Sequence, residues 1–208
     1  MLIGFRNLIS PRICLFCGSG DEYICSECFA LNLLSPELTY LHNIPTISMS
    51  RYKDLVREII IRHKDHHFVA VRKYLAKSLS LGIKILNLPR DCTVISIPTS
   101  ISQITKRLDD PVRYLVSDAA ALENLRYDHR VLTLKAFKKD QVGLNFWQRE
   151  RNVSEIFSIA RVTNKVVVCD DVITSGATLR AANLELTKAG IQVLANICVA
   201  NTPKTMRD

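Results

Sequence analysis

Residues 166–179 read VVVCDDVITSGATL. Four apolar residues, 166–169, run into Asp170 and Asp171. The small-residue loop Thr174-Ser175-Gly176-Ala177-Thr178 then opens a stretch with helical periodicity. A short apolar run ended by a loop fits a buried strand, and the pattern after it predicts a helix from about 177 to 188, ended by Gly190. In an open α/β sheet, ligands sit at the carboxyl ends of strands. A helix that starts there aims free N–H groups and the positive end of its dipole at an anion. Gly176 lets the backbone approach closely, and Thr174, Ser175 and Thr178 add hydroxyls. This is a cradle for a monoester phosphate. It has neither the lysine of a Walker A loop nor a G-x-G-x-x-G run, which excludes an NTPase or dinucleotide loop. Asp170 and Asp171 accept hydrogen bonds from a vicinal diol, and they can hold Mg²⁺. A diol beside a phosphate suits a ribose 5-phosphate. The plain alternative is an ordinary strand-to-helix connection in which Asp171 caps the helix.

The rest of the chain supplies the elements around this stretch. Residues 51–64 place Tyr52, Leu55, Val56, Ile59, Ile60 and His63 at helical spacing, and 66–81 place Phe68, Val71, Leu75 and Leu79 inward on a second helix. His63, His66 and His67 lack an acidic partner pattern and read as structural. Residues 93–97, TVISI, predict a strand that ends in the loop Pro98-Thr99-Ser100. Residues 111–125 read as a helix with Pro111 at its first position and Asp109 or Asp110 as N-cap. Strands are expected at 131–137 and 191–200, and a short helix within 144–160. Strands alternating with helices imply an α/β fold, a mostly parallel sheet with helices on both faces.

Four of the seven cysteines form a separate pattern. Cys14, Cys17, Cys25 and Cys28 spell C-x2-C-x7-C-x2-C. Two such pairs supply a tetrahedral zinc site, and the metal replaces the core that so short a segment lacks. Disulfides or an iron–sulfur cluster are the alternatives. With no fifth ligand in view, the zinc would be structural. Cys92, Cys169 and Cys198 stand alone in apolar runs and read as small buried hydrophobes. The division is a zinc-binding module over 1–35, a linker over 36–50 that contains Pro45, and one domain over 51–208.

The net charge is +8 over 208 residues. Residues 51–90 hold ten basic and three acidic side chains, whereas the first fifty residues sum to −2. Such a patch is either a solvated helix face or a surface for nucleic acid or a phosphorylated ligand. No apolar run reaches transmembrane length, and the N-terminus lacks the pattern of a signal peptide, so a cytoplasmic protein is expected.

Residues 166–178 resemble the type I phosphoribosyltransferases, whose hallmark is an apolar strand, two acidic residues and a Thr/Ser-Gly-x-Thr loop. The resemblance implies a Rossmann-like parallel sheet. It also implies that Asp170, Asp171, Thr174, Ser175, Gly176, Ala177 and Thr178 bind phosphoribosyl pyrophosphate (PRPP) with Mg²⁺, with Asp170 and Asp171 in the catalytic role. The pyrophosphate would lie on a second loop, Pro98-Thr99-Ser100. The order of further features resembles the ComF family of competence proteins: the four cysteines, then Tyr52 and Lys64, then Pro98, then Gln141, Leu144, Arg149, Asn152, Val153 and Phe157. That likeness implies a role in DNA uptake, with single-stranded DNA and other competence proteins as partners.

Two departures stand out. Leu108 replaces a glycine the family usually carries, and leucine resists positive φ. The stretch 135–140 keeps the family's basic character but not its pattern. Lys138, Lys139, Arg149 and Arg151 would serve either as a lid over the pyrophosphate or as contacts to nucleic acid. Two other functions stay open: a metabolic phosphoribosyltransferase with a base or amine acceptor, or an inactive scaffold. An amidophosphoribosyltransferase-like reaction would need a nucleophile, and Met1 is followed by Leu2 rather than by cysteine.

Overall fold

The computed structural model describes residues 13–65, 68–99, 110–135, 157–161 and 163–202. The eight strands are β1 (Glu37–Leu41), β2 (Ile44–Arg51), β3 (Thr93–Ser96), β4 (Arg126–Tyr127), β5 (Leu132–Leu134), β6 (Phe157–Ile159), β7 (Lys165–Ile173) and β8 (Gln192–Asn201). The five helices are α1 (Ser26–Leu33), α2 (Asp54–Asp65), α3 (Arg72–Ile85), α4 (Pro111–Leu122) and α5 (Ala177–Lys188). Val166, Val167, Val168 and Cys169 are wholly buried, as expected of a central strand covered on both faces. Around β7 the sheet has the order β1-β2-β8-β7-β3-β4. All neighbours are parallel except the β1–β2 hairpin, and β5 and β6 form a separate antiparallel ribbon.

Two apolar layers sandwich the sheet. On one face Val56, Ile59 and Ile60 of α2 join Leu75, Leu79 and Ile83 of α3 and Leu115, Val116 and Ala119 of α4. On the other, Leu179, Ala182 and Leu186 of α5 pack with Leu132 and Phe157 of the ribbon. β3 leads through α4 to β4 on one side, and β7 leads through α5 to β8 on the other. The strand order therefore reverses between β3 and β7, the position where parallel sheets open a crevice for ligands.

Two expectations change, and a third falls mostly outside the described residues. Residues 36–50 are not a linker: they carry β1 and most of β2, and β2 pairs with β8 along Thr46↔Asn196 to Arg51↔Asn201. Thr46, Ser48 and Ser50 give this stretch a loop-like composition, yet all three are buried in the sheet, and Pro45 is tolerated because it falls at the strand's start. The helix expected from 51 begins at Asp54 because Arg51 still belongs to β2. Of the short helix expected within 144–160, the part in the described residues is strand β6. The helices at 111 and 177 start where their sequence signals put them, and Asp110 is the N-cap of α4, accepting the Arg113 N–H.

The N-terminal module is not free-standing. Ile24, Phe29 and Leu33 belong to the same apolar cluster as Tyr74, Leu75 and Leu79 of α3, and Ser78 Oγ donates to the Leu33 carbonyl. No helix among the described residues is long and apolar enough to cross a membrane.

Gly82 shows how tightly α3 lies on the sheet. A Cβ there would sit 2.8 Å from Ile197 Cγ2 and 2.9 Å from Met49 Sδ. Alanine favours a helix by about 1 kcal/mol over glycine. The forced repacking costs about 1–3 kcal/mol and outweighs it. Gly82→Ala is therefore expected to lower the urea midpoint, and an unchanged or raised midpoint would show that α3 can move off the sheet.

Candidate functional site

The strand that carries the two aspartates is longer than expected. β7 continues to Ile173, so Asp170 and Asp171 lie inside it, with Asp170 opposite Cys198 on β8. Consecutive strand residues point to opposite faces. Asp171 shares its parity with Val167 and Cys169, which face α2, α3 and α4. Its side chain is 5% exposed, and its Oδ2 lies 2.7 Å from Lys64 Nζ at the end of α2. Asp170 is half-buried, and its Oδ1 accepts the Asp171 N–H at 2.8 Å. Burial and the neighbouring Asp171 charge push its carboxyl well above the usual carboxylate range, against the opposing pull of Lys64. The two carboxylates are thus unequal: Asp171 is committed to a cation, and Asp170 has no ion pair among those of the described residues.

The loop after β7 turns at Gly176, whose φ of 73° suits glycine. Gly176 is the N-cap of α5, so Asp171 does not cap this helix. No side chain caps from that position; the Ala177 N–H reaches Ser175 Oγ at 3.3 Å. Thr174, Ser175 and Thr178 are exposed, and Ala177 is partly so. The loop is braced from behind. Arg180 Nη1 donates to the Ser175 carbonyl at 2.9 Å, and a Cβ on Gly176 would meet Arg180 and both methyls of Leu41 at 3.1–3.3 Å.

Across the crevice, β3 ends at Ser96, and the Ile97 N–H donates to the Cys169 carbonyl at 3.0 Å. Pro98 and Thr99 follow, half-buried. Thr99 Oγ1 donates to Asp110 Oδ1 at 2.9 Å, which ties this loop to the N-terminus of α4. Ser96 Oγ lies 2.8 Å from Tyr127 Oη, and burial pushes the Tyr127 phenol up to about 12, with the Ser96 contact opposing. The loops at 97–99 and 174–178 thus flank the point of strand reversal. Ser100, Lys138, Lys139, Arg149 and Arg151 lie outside the described residues, as do Gln141, Leu144, Asn152, Val153 and Leu108.

The sequence gives no pairing signal for Leu41, Arg180 or the Lys64–Asp171 contact. Lys64 and Asp171 are remote in sequence and meet only through the packing of α2 on the sheet. Leu41 lies in a segment read as linker.

At the other pole of the chain, the four sulfurs of Cys14, Cys17, Cys25 and Cys28 lie within 4.8 Å of one another. A tetrahedral zinc with Zn–S near 2.3 Å needs sulfurs about 3.8 Å apart. Cys17 and Cys25 stand 3.8 Å apart. The first knuckle is shaped by the Gly18 N–H donating to the Cys14 carbonyl at 2.8 Å, and Cys25 and Cys28 occupy the N-cap and first turn of α1. Burial raises the Cys14 thiol, but the N–H groups of Cys25, Cys17 and Phe16 outweigh it and bring it down to about 6. Burial and the three neighbouring cysteines push Cys28 up. Four thiolates this close repel one another, so a divalent cation fits the donor set.

No family model and no curated protein matches the sequence. Solved structures that resemble the chain include a hypoxanthine phosphoribosyltransferase from Staphylococcus aureus, at 12% identity over 64% of each chain with a TM-score of 0.37. They also include an orotate phosphoribosyltransferase from Aeropyrum pernix, at 14% identity over 84% of this chain and 90% of that one with a TM-score of 0.36. A third is an adenine phosphoribosyltransferase from Trypanosoma brucei, at 12% identity over 83% and 94% with a TM-score of 0.44. At these scores the likenesses carry no argument, and the α/β parallel-sheet fold stands on the strand order itself.

The unequal aspartates generate opposite expectations for stability. Asp170 has a raised carboxyl, so its ionised form weakens the fold above the ordinary carboxylate range. Asp170→Asn should leave the melting temperature at pH 7 unchanged or higher, with any gain vanishing as the pH falls to where both forms are neutral. Asp171→Asn removes the carboxylate that Lys64 Nζ meets at 2.7 Å and should cost about 2 kcal/mol. Melting curves of both variants between pH 4 and 8 check the pair, and equal losses in the two would contradict it. Purified protein should carry one zinc per chain, lost in Cys14→Ser. Because Ile24, Phe29 and Leu33 share the core of α3, that loss should also lower the melting temperature of the whole chain.

Proposed function

We propose that this chain binds PRPP and acts as a phosphoribosyltransferase-like protein of the ComF type, supporting DNA uptake by handling single-stranded DNA. One observation carries the reading. At the point of strand reversal, a glycine-led helix N-terminus without a side-chain cap stands on the same strand as a half-buried carboxylate that has no ion pair among those described. In this reading the N–H groups of 175–178 hold the 5-phosphate, with hydroxyls from Thr174, Ser175 and Thr178. Asp170 accepts the ribose hydroxyls. Asp171, fixed by Lys64, holds the strand end and adds negative potential behind it. Pro98, Thr99 and Ser100 line the pyrophosphate side, and Lys138, Lys139, Arg149 and Arg151 close over it or meet nucleic acid.

Mg²⁺ bound with PRPP would neutralise charge on the leaving pyrophosphate. When transfer occurs, the bond from the anomeric carbon to pyrophosphate breaks, and the acceptor's lone pair forms the new bond. The chain's own part is positioning and electrostatic stabilisation of the cationic ribose centre by Asp170. The basic segment 51–90, at +7, supports attraction to a phosphodiester strand.

Calorimetry with PRPP and Mg²⁺ tests the proposal. Asp170→Asn should weaken binding by about 2 kcal/mol, because charged hydrogen bonds are lost. Gly176→Val should abolish it, since the side chain strains the turn and displaces Leu41 and Arg180. Equal affinity in wild type and Asp170→Asn rejects the ribose role. Binding of an oligothymidylate should fall steeply between low and moderate salt; binding that ignores salt, or is absent at low salt, rejects the nucleic-acid part.

A further inference from the structure

A second group of charged residues lies away from the crevice. Asp128 follows β4, and its side chain is 5% exposed. Three guanidinium groups gather on it: Arg161 Nη1 at 3.0 Å, Arg130 Nε at 3.4 Å and Arg126 Nη2 at 3.7 Å. Asp128 Oδ1 also accepts the Arg130 N–H at 3.0 Å. One carboxylate cannot satisfy three guanidinium forks. Arg126 stands beyond hydrogen-bond range, and each group keeps unspent donors. Burial raises the Asp128 carboxyl, but the Arg130 N–H and the Arg161 and Arg130 side chains outweigh it and hold it low, so it stays ionised. The cluster then carries a net charge of +2.

Arg126, Arg161 and Asp128 border a small cavity, which Arg130 does not line. Thr93, Arg126, Asp128, Val131, Arg161 and Thr163 line a volume of about 140 Å³. Water occupies about 30 Å³ in the liquid, so the cavity has room for a tetrahedral oxyanion. Thr93 Oγ1 and Thr163 Oγ1 lie 3.2 Å apart. Only one of the two can donate to the other, so one hydroxyl hydrogen remains for a ligand. Thr93 opens β3, and the ribose-phosphate loops stand at the carboxyl ends of β3 and β7, so this cavity opens elsewhere.

We propose that Arg126 and Arg161, oriented by Asp128 and joined by Thr93 and Thr163, form a second phosphate site, distinct from the loop at 174–178. Its ligand is a single phosphate group, either a small free phosphate or one phosphate of a polynucleotide backbone. Arginine forks grip such a group in pairs, and the buried Asp128 holds the forks in place while their outer edges face solvent.

The test uses the full-length, zinc-loaded chain and follows the arginine Nε–Hε resonances, assigned through single variants, during titration with orthophosphate. The Arg126 and Arg161 signals should shift saturably. In Arg126→Gln/Arg161→Gln the orthophosphate response of the Thr93 and Thr163 backbone amides should weaken at least tenfold, while Gly176→Val should leave this titration unchanged. Displacement of orthophosphate by oligothymidylate lacking terminal phosphates assigns the site to a nucleic-acid backbone, and failure to displace it assigns the site to a free phosphate. Asp128→Asn, checked by its melting curve, should weaken the titration without abolishing it. Arg126 and Arg161 signals that do not move with orthophosphate, or a Thr93 and Thr163 response as strong in the double variant as in wild type, would overturn the proposal. PRPP affinity is read separately, so its failure does not bear on this cavity.

Discussion

Consecutive residues of a β-strand point to opposite faces of the sheet, and this chain places two carboxylates consecutively on its central strand. The side chain of Asp171 must enter the layer of α2, α3 and α4, where an unpaired charge is not tolerated. Lys64, the penultimate residue of α2, meets it at 2.7 Å. That pair fixes the end of α2 against β7. Asp170 is turned to the other side, half-buried beside its neighbour's charge, which makes its ionised form costly until a cation or hydroxyl donors arrive. The two adjacent carboxylates therefore differ in role: Asp171 holds the sheet to its helix, and Asp170 has no ion pair among those of the described residues.

The same economy runs through the surroundings. The crevice exists because the connections from β3 and β7 leave in opposite directions. Its second loop is tied down by Thr99 on Asp110, the residue that also caps α4. Its first loop rests on Leu41, the last residue of an antiparallel edge strand, and on Arg180 one turn into α5. The cysteine module packs through Ile24, Phe29 and Leu33 onto α3, which meets the sheet at Gly82 with no room to spare. A metal at the four sulfurs would thereby stabilise a layer that reaches the central strands.

Much of this was legible in the sequence. VVVC announces a doubly buried strand, TSGAT a glycine turn into a helix, Asp110-Pro111 a capped helix start, and two CxxC pairs a cluster of four sulfurs. What stayed hidden has identifiable causes. β2 carries Thr46, Ser48 and Ser50, polar residues that read as loop but are buried beside β8, and its hairpin turns at His42 and Asn43, both with positive φ but without the glycine that usually marks such a turn. The length of β7 was underestimated because charged residues rarely continue a buried strand, and Asp171 does so only with Lys64 beside it. The convergence of Arg126, Arg130 and Arg161 on Asp128 depends on the β5–β6 ribbon returning Arg161 to the sheet, a pairing no local pattern encodes.

The most direct test of the central claim is where a ribose phosphate lands. Backbone amide resonances of the full-length chain, followed during titration with ribose 5-phosphate, report it residue by residue. The account predicts the largest shifts at Ser175, Gly176, Ala177 and Thr178, with Asp170 and Asp171 next and little change at Thr93 or Arg126. Shifts confined to other parts of the molecule, or none at saturating ligand, would contradict it.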